Sequence, residues 1–331
     1  MSSKKKIICG IDISKGWYDV RLSDRTETLK FNNKPEGHQK FINYLIKQEV
    51  TQCVMESTGG YERELSEALE EQGILFSVIA PTRARAFATA EGVHVKTDPI
   101  DAKLLSLFGE KLSPKLTTLP SEAIKKVRAS ITRREQLVEM CSMEKNHLQA
   151  PLITESGKSS IKAMIKTLKV TIKEVEKEIE QVIEADWQLK AKSDLLRSFA
   201  GVGPVSASIL LAYLPELGQI DRKTVGAIVG VVPFKNNSGV NDSERGKIYG
   251  GRKIIRDCLY MATMSAIQCN MYIRRNYQSL KSRGKPHKVV VVACMRKIIG
   301  ALNAMVRDSK PWDENRFQLS KDNYAHQALK Q

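Results

Sequence analysis

The first hundred residues switch repeatedly between two hydrophobic periods, and this switching limits the possible folds more than any other feature of the chain. Three short apolar runs come first: Lys5 to Asp12, then residues 17–23 and 26–32, with Ser23-Asp24 between the last two. Their alternation predicts strands, with Trp17, Val20, Leu22, Leu29 and Phe31 pointing inward. Pro35 then opens a helix-period stretch carrying Phe41, Ile42, Leu45 and Ile46. Gln52 to Met55 reads as a fourth strand closed by Glu56, followed by Ser57-Thr58-Gly59-Gly60 and a helix through Leu65 and Leu69 to Gly73. Leu75 to Ile79 is a fifth strand, Pro81 starts another helix, and a basic, glycine-containing loop spans 91–96. Three strands followed by alternating helix and strand predict an α/β domain with a mixed sheet.

The acids in this pattern fall at chemically useful places. Asp12 ends the first strand and Glu56 the fourth, and sites in open α/β sheets form outside the carboxyl ends of strands. In Lys96-Thr97-Asp98-Pro99-Ile100-Asp101-Ala102-Lys103, Pro99 suits the first turn of a helix, and Ile100, Leu104, Leu105 and Phe108 form its apolar stripe. Asp98 and Asp101, three residues apart, share one face of that helix start. They also make an ordinary capping arrangement, Asp98 at the N-cap and Asp101 at the third position. If the helix packs across the ends of both strands, four carboxylates gather, and such a cluster repels itself unless a cation neutralises it. Hard oxygen donors favour Mg²⁺ or Mn²⁺, and two such ions about 4 Å apart suit in-line displacement at a phosphodiester.

Charge points to the same chemistry. The chain of 331 residues carries a formal net charge of +16 with a pI near 9.5, which favours a polyanionic partner, nucleic acid before an anionic membrane. No apolar run approaches the roughly 18 residues of a membrane span, since Val289 to Ile299 is broken by Arg296 and Lys297. Lys4-Lys5-Lys6 followed by Ile7-Ile8-Cys9 has the look of a signal start, but the apolar stretch stops at Asp12 and reads as a strand. Six scattered cysteines with no Cys-x-x-Cys pair argue against zinc or a disulfide framework and for a reducing cytoplasm.

Gly10-Ile11-Asp12, Met55-Glu56-Ser57-Thr58-Gly59 and Lys96-Thr97-Asp98-x-x-Asp101-Ala102 resemble the DEDD-type serine transposases of bridge-RNA-guided insertion sequences, relatives of Piv-type DNA invertases. The resemblance implies a ribonuclease-H-like, resolvase-type domain over 1–112, with Asp12, Glu56, Asp98 and Asp101 as metal ligands and catalytic acids. It also implies a small non-coding guide RNA beside donor and target DNA.

Beyond residue 112 the texture turns charged and helical. Ile124, Val127, Ile131, Arg134, Val138, Cys141, Lys145 and Leu148 follow a heptad seam. After the turn at Pro151 and Gly157, Ile161, Ile165, Leu168, Ile172, Val175, Ile179 and Val182 repeat it. An antiparallel coiled-coil hairpin over 113–190 is expected, either a spacer or an assembly interface; similar hairpins in the resembled family pair protomers, so a dimer or tetramer follows. A mainly α-helical transposase domain is expected over 191–318, with a flexible tail over 319–331.

Phe199-Ala200-Gly201-Val202-Gly203-Pro204 can be a helix-hairpin-helix turn whose backbone N–H groups meet a DNA phosphate, or a plain Gly/Pro helix boundary. Further on, Val232-Pro233-Phe234-Lys235-Asn236-Asn237-Ser238-Gly239 is a turn signal in a basic neighbourhood containing Arg245, Lys247, Arg252, Lys253 and Arg256. By resemblance Ser238 is the nucleophile. Ser243 is the alternative, because the spacing from Ser-Gly to Arg-Gly is longer here than in the common pattern. Gly201, Gly203, Lys235, Arg245, Lys247, Arg252, Lys253 and Arg256 are the candidate nucleic-acid contacts. Arg274-Arg275 and the stretch Lys281 to Lys288 form a further basic loop, between helices expected over 253–270 and 289–305.

The expected function is therefore a DNA recombinase that cuts and rejoins strands through a phosphoserine ester, conserving phosphodiester energy, in a bacterial cytoplasm at the nucleoid. A junction-resolving nuclease using water is the main alternative. An actin-like ATPase or sugar kinase built on Gly10-Ile11-Asp12-Ile13-Ser14-Lys15-Gly16 is weaker, because no second glycine-rich phosphate loop accompanies it.

Overall fold

The computed structural model describes residues 6–93, 98–233, 248 and 250–314, with the side chains of 98–100 outside the description. The chain divides into two compact units, Met1–Leu119 and Pro120–Gln331.

The first unit is built on a five-stranded sheet. In chain order its elements are β1 (Ile8–Ile13), β2 (Trp17–Leu22), β3 (Thr28–Asn32), α1 (Pro35–Lys47), β4 (Gln52–Glu56), α2 (Arg63–Glu71), β5 (Phe76–Ile79), α3 (Pro81–Ala90) and α4 (Asp98–Leu112). The strands lie in the order β3-β2-β1-β4-β5. The β1–β2 and β2–β3 pairs are antiparallel, as short hairpin connections permit, while β1–β4 and β4–β5 are parallel and need helical crossovers.

The pleat sends alternate residues to opposite faces. Cys9, Ile11 and Ile13 of β1, with Tyr18, Val20, Leu22, Cys53, Met55 and Phe76, pack under Phe41, Ile42 and Leu45 of α1 and Leu65 and Leu69 of α2. The other face presents Ile8, Val54 and Ile79 to Leu105 and Phe108 of α4, with Ala84 and Phe87 of α3 alongside. The expected inward set needs one correction. Trp17 is 51% exposed, and Tyr18, fully buried, takes its place beside Val20 and Leu22. Only residues two apart share a face, so Trp17 cannot join Val20 and Leu22. Ile46 likewise stands 59% exposed on α1.

The second unit is helical among its described residues: α5 (Glu122–His147), α6 (Glu155–Ala185), α7 (Trp187–Arg197), α8 (Pro204–Tyr213), α9 (Arg222–Val229), α10 (Lys253–Cys269), α11 (Met271–Ser282) and α12 (His287–Asp308). Ser121, Thr154, Asp186, Asp221 and Asn270 each cap a helix start, their side-chain oxygens accepting first-turn N–H groups. Helices α5 and α6 form an antiparallel hairpin: Val127 and Ile131, early in α5, meet Ile179 and Ile183, late in α6, while Leu137 and Cys141 meet Leu168. The seam differs from the heptad expectation where Leu137 is buried and Val138 is 37% exposed, where Lys145 is exposed, and where Ile183 is buried beyond half-buried Val182. Arg274 and Arg275, expected in a loop, belong to α11. Helix α12 has the length and apolar composition of a membrane span, and ten of its residues are buried. Among them Val290, Cys294, Ile298 and Leu302 sit in one core with Leu196, Leu210, Val225 and Leu259 of the surrounding helices.

Candidate functional site

Register and pleat together place the acids of the first unit. The β1–β4 ladder pairs Ile8 with Gln52, Gly10 with Val54 and Ile11 with Met55, so Asp12 and Glu56 fall on adjacent strands at the next step. Asp12 is two residues beyond Gly10 and Glu56 two beyond Val54, so both lie on the face that α4 covers.

Helix α4 sits unusually close to that face. A Cβ on Gly10 would lie 2.1 Å from the carbonyl oxygen of Ala102 and 2.3 Å from the Ser106 nitrogen, and one on Gly109 would meet Ile8 at 2.5 Å. Gly109 beside Ile8 and Ala102 beside Gly10 mean that α4 runs opposite to β1. Its N-terminal turn therefore stands at the carboxyl ends of β1 and β4. Small residues set this distance, and Ala102 and Ser106 are themselves buried.

Asp101 thereby faces the same region as Glu56. The two carboxylates line one cavity of about 270 Å³ with Arg85, Phe87, Leu104 and Phe108. One oxygen of Asp101 is buried, and Asp12 and Glu56 are half-buried. Helix α3 roofs the cavity without burying any residue of its own, and its Arg83 guanidinium lies 5.4 Å from the centre of the Phe108 ring. The turn after Glu56 is held by Glu62, whose carboxylate accepts from the backbone N–H of Thr58 at 3.1 Å and of Gly60 at 2.9 Å. Gly59 and Gly60 adopt positive φ, a conformation that makes such a turn inexpensive.

Sequence reading did not single out Asp19 or Arg85. Asp19 is the direct antiparallel partner of Asp12 and shares its face, with Lys30 Nζ at 4.0 Å. The seven-residue separation of Asp12 and Asp19 conveys this only once the hairpin register is known. Asp98 starts α4, with its side chain outside the described residues. Among the described side chains, which do not include that of Asp98, no group of three or more His, Cys, Asp or Glu stands at metal-binding spacing.

In the second unit, Ser238, Ser243, Lys235, Arg245 and Lys247 lie outside the described residues. What is described is the root of that segment. Gly230 (φ +76°) and Gly251 (φ +68°) lie back to back, a Cβ on Gly251 coming 2.4 Å from the Gly230 nitrogen, and the Arg252 N–H donates to the Ile228 carbonyl at 2.9 Å. The chain thus leaves and re-enters at one point. Arg252 is committed to a bidentate pair with Glu216, at 2.6 and 2.7 Å, and also donates to the Tyr213 carbonyl. Lys253 pairs with Asp257, and Arg256 donates to the Gly250 carbonyl.

Gly201, at φ +107°, is pressed against α10, where a Cβ would lie 2.6–2.8 Å from atoms of Ala266. That packing alone demands glycine. Gly203 is exposed and is the N-cap of α8, with open space where a side chain would be.

Comparison with known proteins gives this arrangement a class. A family model described as "Transposase", of the DEDD type, matches residues 9–154, and one described as "Transposase IS116/IS110/IS902 family" matches residues 193–278. The pilin gene-inverting proteins of Moraxella lacunata and Moraxella bovis are each 24% identical over 319 residues, spanning 93% of this chain and 98% of theirs. An uncharacterized 43.6 kDa protein of insertion element IS110 from Streptomyces coelicolor is 24% identical over 117 residues, 35% of this chain and 29% of its own. The protein is a transposase, an enzyme that recombines DNA. It belongs to the IS110-type family and is related to the pilin gene-inverting proteins.

Proposed function

We propose that the protein breaks and rejoins DNA at a centre formed by Asp12, Glu56, Asp98 and Asp101, with Ser238 as nucleophile and Ser243 the alternative. The observation that carries this reading is the convergence of Asp12, Glu56 and the first turn of α4 on one face, at the carboxyl ends of β1 and β4. An all-carboxylate donor set of this kind suits Mg²⁺ or Mn²⁺. Asp12, Glu56, Asp98 and Asp101 would hold such an ion, which when bound would supply charge neutralisation at the scissile phosphate. The serine Oγ attacks phosphorus, the bond to one sugar oxygen breaks, and that oxygen departs with a proton. The strand remains as a phosphoserine ester until a sugar hydroxyl of the new partner strand reverses the exchange.

The strand order β3-β2-β1-β4-β5 supports a ribonuclease-H-like assignment for residues 1–112. The proposed division continues with a coiled-coil hairpin that pairs protomers over 113–190, a serine-bearing DNA-binding domain over 191–318 and a tail over 319–331. The proposed partners are donor and target DNA and a small guide RNA, in a bacterial cytoplasm. Exposed Gly203 at the start of α8 suits a backbone phosphate, as do Lys235, Arg245 and Lys247. Gly201 contributes by letting that turn pack, and Arg252, Lys253 and Arg256 by shaping the root of the serine segment.

The test is a denaturing gel of protein, co-expressed RNA, donor and target DNA in Mg²⁺. A covalent protein–DNA adduct that disappears in Ser238→Ala and in Asp101→Asn is the expected result. Cleavage without adduct that survives Ser238→Ala but not Asp101→Asn would assign the centre to water-activated hydrolysis instead.

A further inference from the structure

We propose that Trp17, with Tyr61 exposed on a loop tied to the same turn, is a stacking platform for an unpaired base of the DNA strand entering the carboxylate centre. Trp17 is an aromatic residue that strand periodicity removes from the core and leaves 51% exposed. It is the first residue of β2, where Tyr18, Val20 and Leu22 face α1 and α2. Trp17 therefore shares the opposite face with Asp19, two residues on, and with Asp12, the partner of Asp19. Steps of about 3.4 Å per residue along a strand and about 5 Å between strands put its Cα within roughly 10 Å of that of Asp12.

Tyr61 is 48% exposed in the loop that follows Glu56. Asn33 ties this loop to the β1–β2 turn: its Nδ2 donates to the Ser14 carbonyl at 3.0 Å and to the Tyr61 carbonyl at 3.2 Å. His38 holds the same amide through Asn33 Oδ1 at 2.9 Å. The two exposed aromatics thus rise from loops leaving the carboxyl ends of β1 and β4, the strands that carry Asp12 and Glu56. Lys15, exposed, lies in the β1–β2 turn, and Lys34, also exposed, is the N-cap residue of α1 next to Asn33.

The partner follows from chemistry. Residues 1–119 hold 17 Lys and Arg against 16 Asp and Glu, so net charge gives this unit little hold on a polyanion. A face with several carboxylates repels phosphates until a cation is bound. Base–aromatic stacking is indifferent to that repulsion and tolerates any sequence, because every base has a π-face. It also selects a strand whose bases are unpaired, since paired bases in a duplex are already stacked. The platform rests on the carboxylate reading for its position beside the scissile phosphate, and its test does not depend on cleavage.

The experiment uses the full-length protein and a short single-stranded oligodeoxythymidylate carrying one 2-aminopurine, whose fluorescence is quenched by stacking. Wild type and Glu56→Gln are both expected to quench it. Trp17→Ala is expected to abolish most of the quenching and to weaken binding at least about fivefold, with Trp17→Phe restoring it. An unchanged thermal melt in Trp17→Ala separates stacking from folding, because the residue is exposed. Quenching by Trp17→Ala equal to that by wild type would overturn the proposal, as would no quenching by wild type or quenching confined to an RNA strand of the same design. DNA cleavage that persisted in Glu56→Gln would sink the carboxylate reading while leaving the stacking result legible.

Discussion

At the scale of single residues, the candidate centre depends on a side chain that is missing. Gly10 is where α4 comes down on β1, and any Cβ there collides with helix backbone, which cannot yield as a flexible side chain can. Gly10→Ala is expected to destabilise the first unit by about 3 kcal/mol, seen as a lower urea midpoint. It should also lower cleavage in whatever fraction stays folded, because the first turn of α4 moves away from Asp12. A midpoint within experimental error of wild type would mean that the helix approaches less closely than described. His38 supplies a pH-dependent prediction on the same unit. It is buried, its pKa is pushed below the ordinary histidine value by loss of solvation, and it holds Asn33 at the root of both loops. The folded state therefore binds the proton less readily than the unfolded chain. The stability His38 contributes is full above about pH 6.5 and drains away as pH falls through its depressed folded value. Urea midpoints at pH 7.5 and 5.5 should show the loss in wild type and a smaller loss in His38→Gln; equal slopes in the two proteins would remove His38 as the cause.

Among the elements, the helical hairpin offers the sharpest discrimination, because two neighbouring residues of similar character have opposite fates. Leu137 is 2% exposed against Cys141 and Leu168, whereas Val138 is 37% exposed. Leu137→Ala is expected to cost about 2–5 kcal/mol in chemical denaturation, and Val138→Ala to stay within about 0.5 kcal/mol. The reverse order would restore the strict heptad seam. The difference marks how far sequence alone reaches. The strands and helices of the first unit were legible because their two periods differ and because Pro35, Pro81 and Pro99 announce helix starts. The positions of Asp12 and Glu56 at strand ends were legible for the same reason. Asp19 was not, because a hairpin register is fixed by cross-strand pairing and leaves no local signal. Trp17 is apolar enough to suggest burial, but the two-residue period puts it on the face opposite Val20 and Leu22; Val138 fits a heptad, which describes a supercoiled seam, whereas helix α5 also has other helices to satisfy. Gly201 read as a phosphate turn, while the demand for glycine comes from Ala266, distant in sequence.

For the whole molecule, the informative quantity is where its charge lies. The excess of +16 is almost entirely in residues 120–331, with 36 Lys and Arg against 21 Asp and Glu, while residues 1–119 are close to balance. The unit bearing the carboxylates is thus near neutral and the helical unit strongly cationic, which assigns sequence-blind attraction of nucleic acid to the second. Part of that charge is exposed where α11 passes into α12, at Lys281, Arg283, Lys285 and Lys288, all of which face solvent. Each phosphate neutralised by such a residue releases counterions, so the logarithm of affinity falls with the logarithm of salt by about 0.9 per contact on duplex DNA. Replacing these four residues by glutamine in the full chain should therefore weaken duplex binding at low salt and flatten the salt slope by up to about 3.6, with little change in thermal stability because the side chains are exposed. Fluorescence anisotropy across a salt series measures both. A slope equal to that of wild type would move the duplex contacts elsewhere on the second unit. A slope flattened as strongly by Lys15→Gln and Lys34→Gln would place them on the first, against its balanced charge.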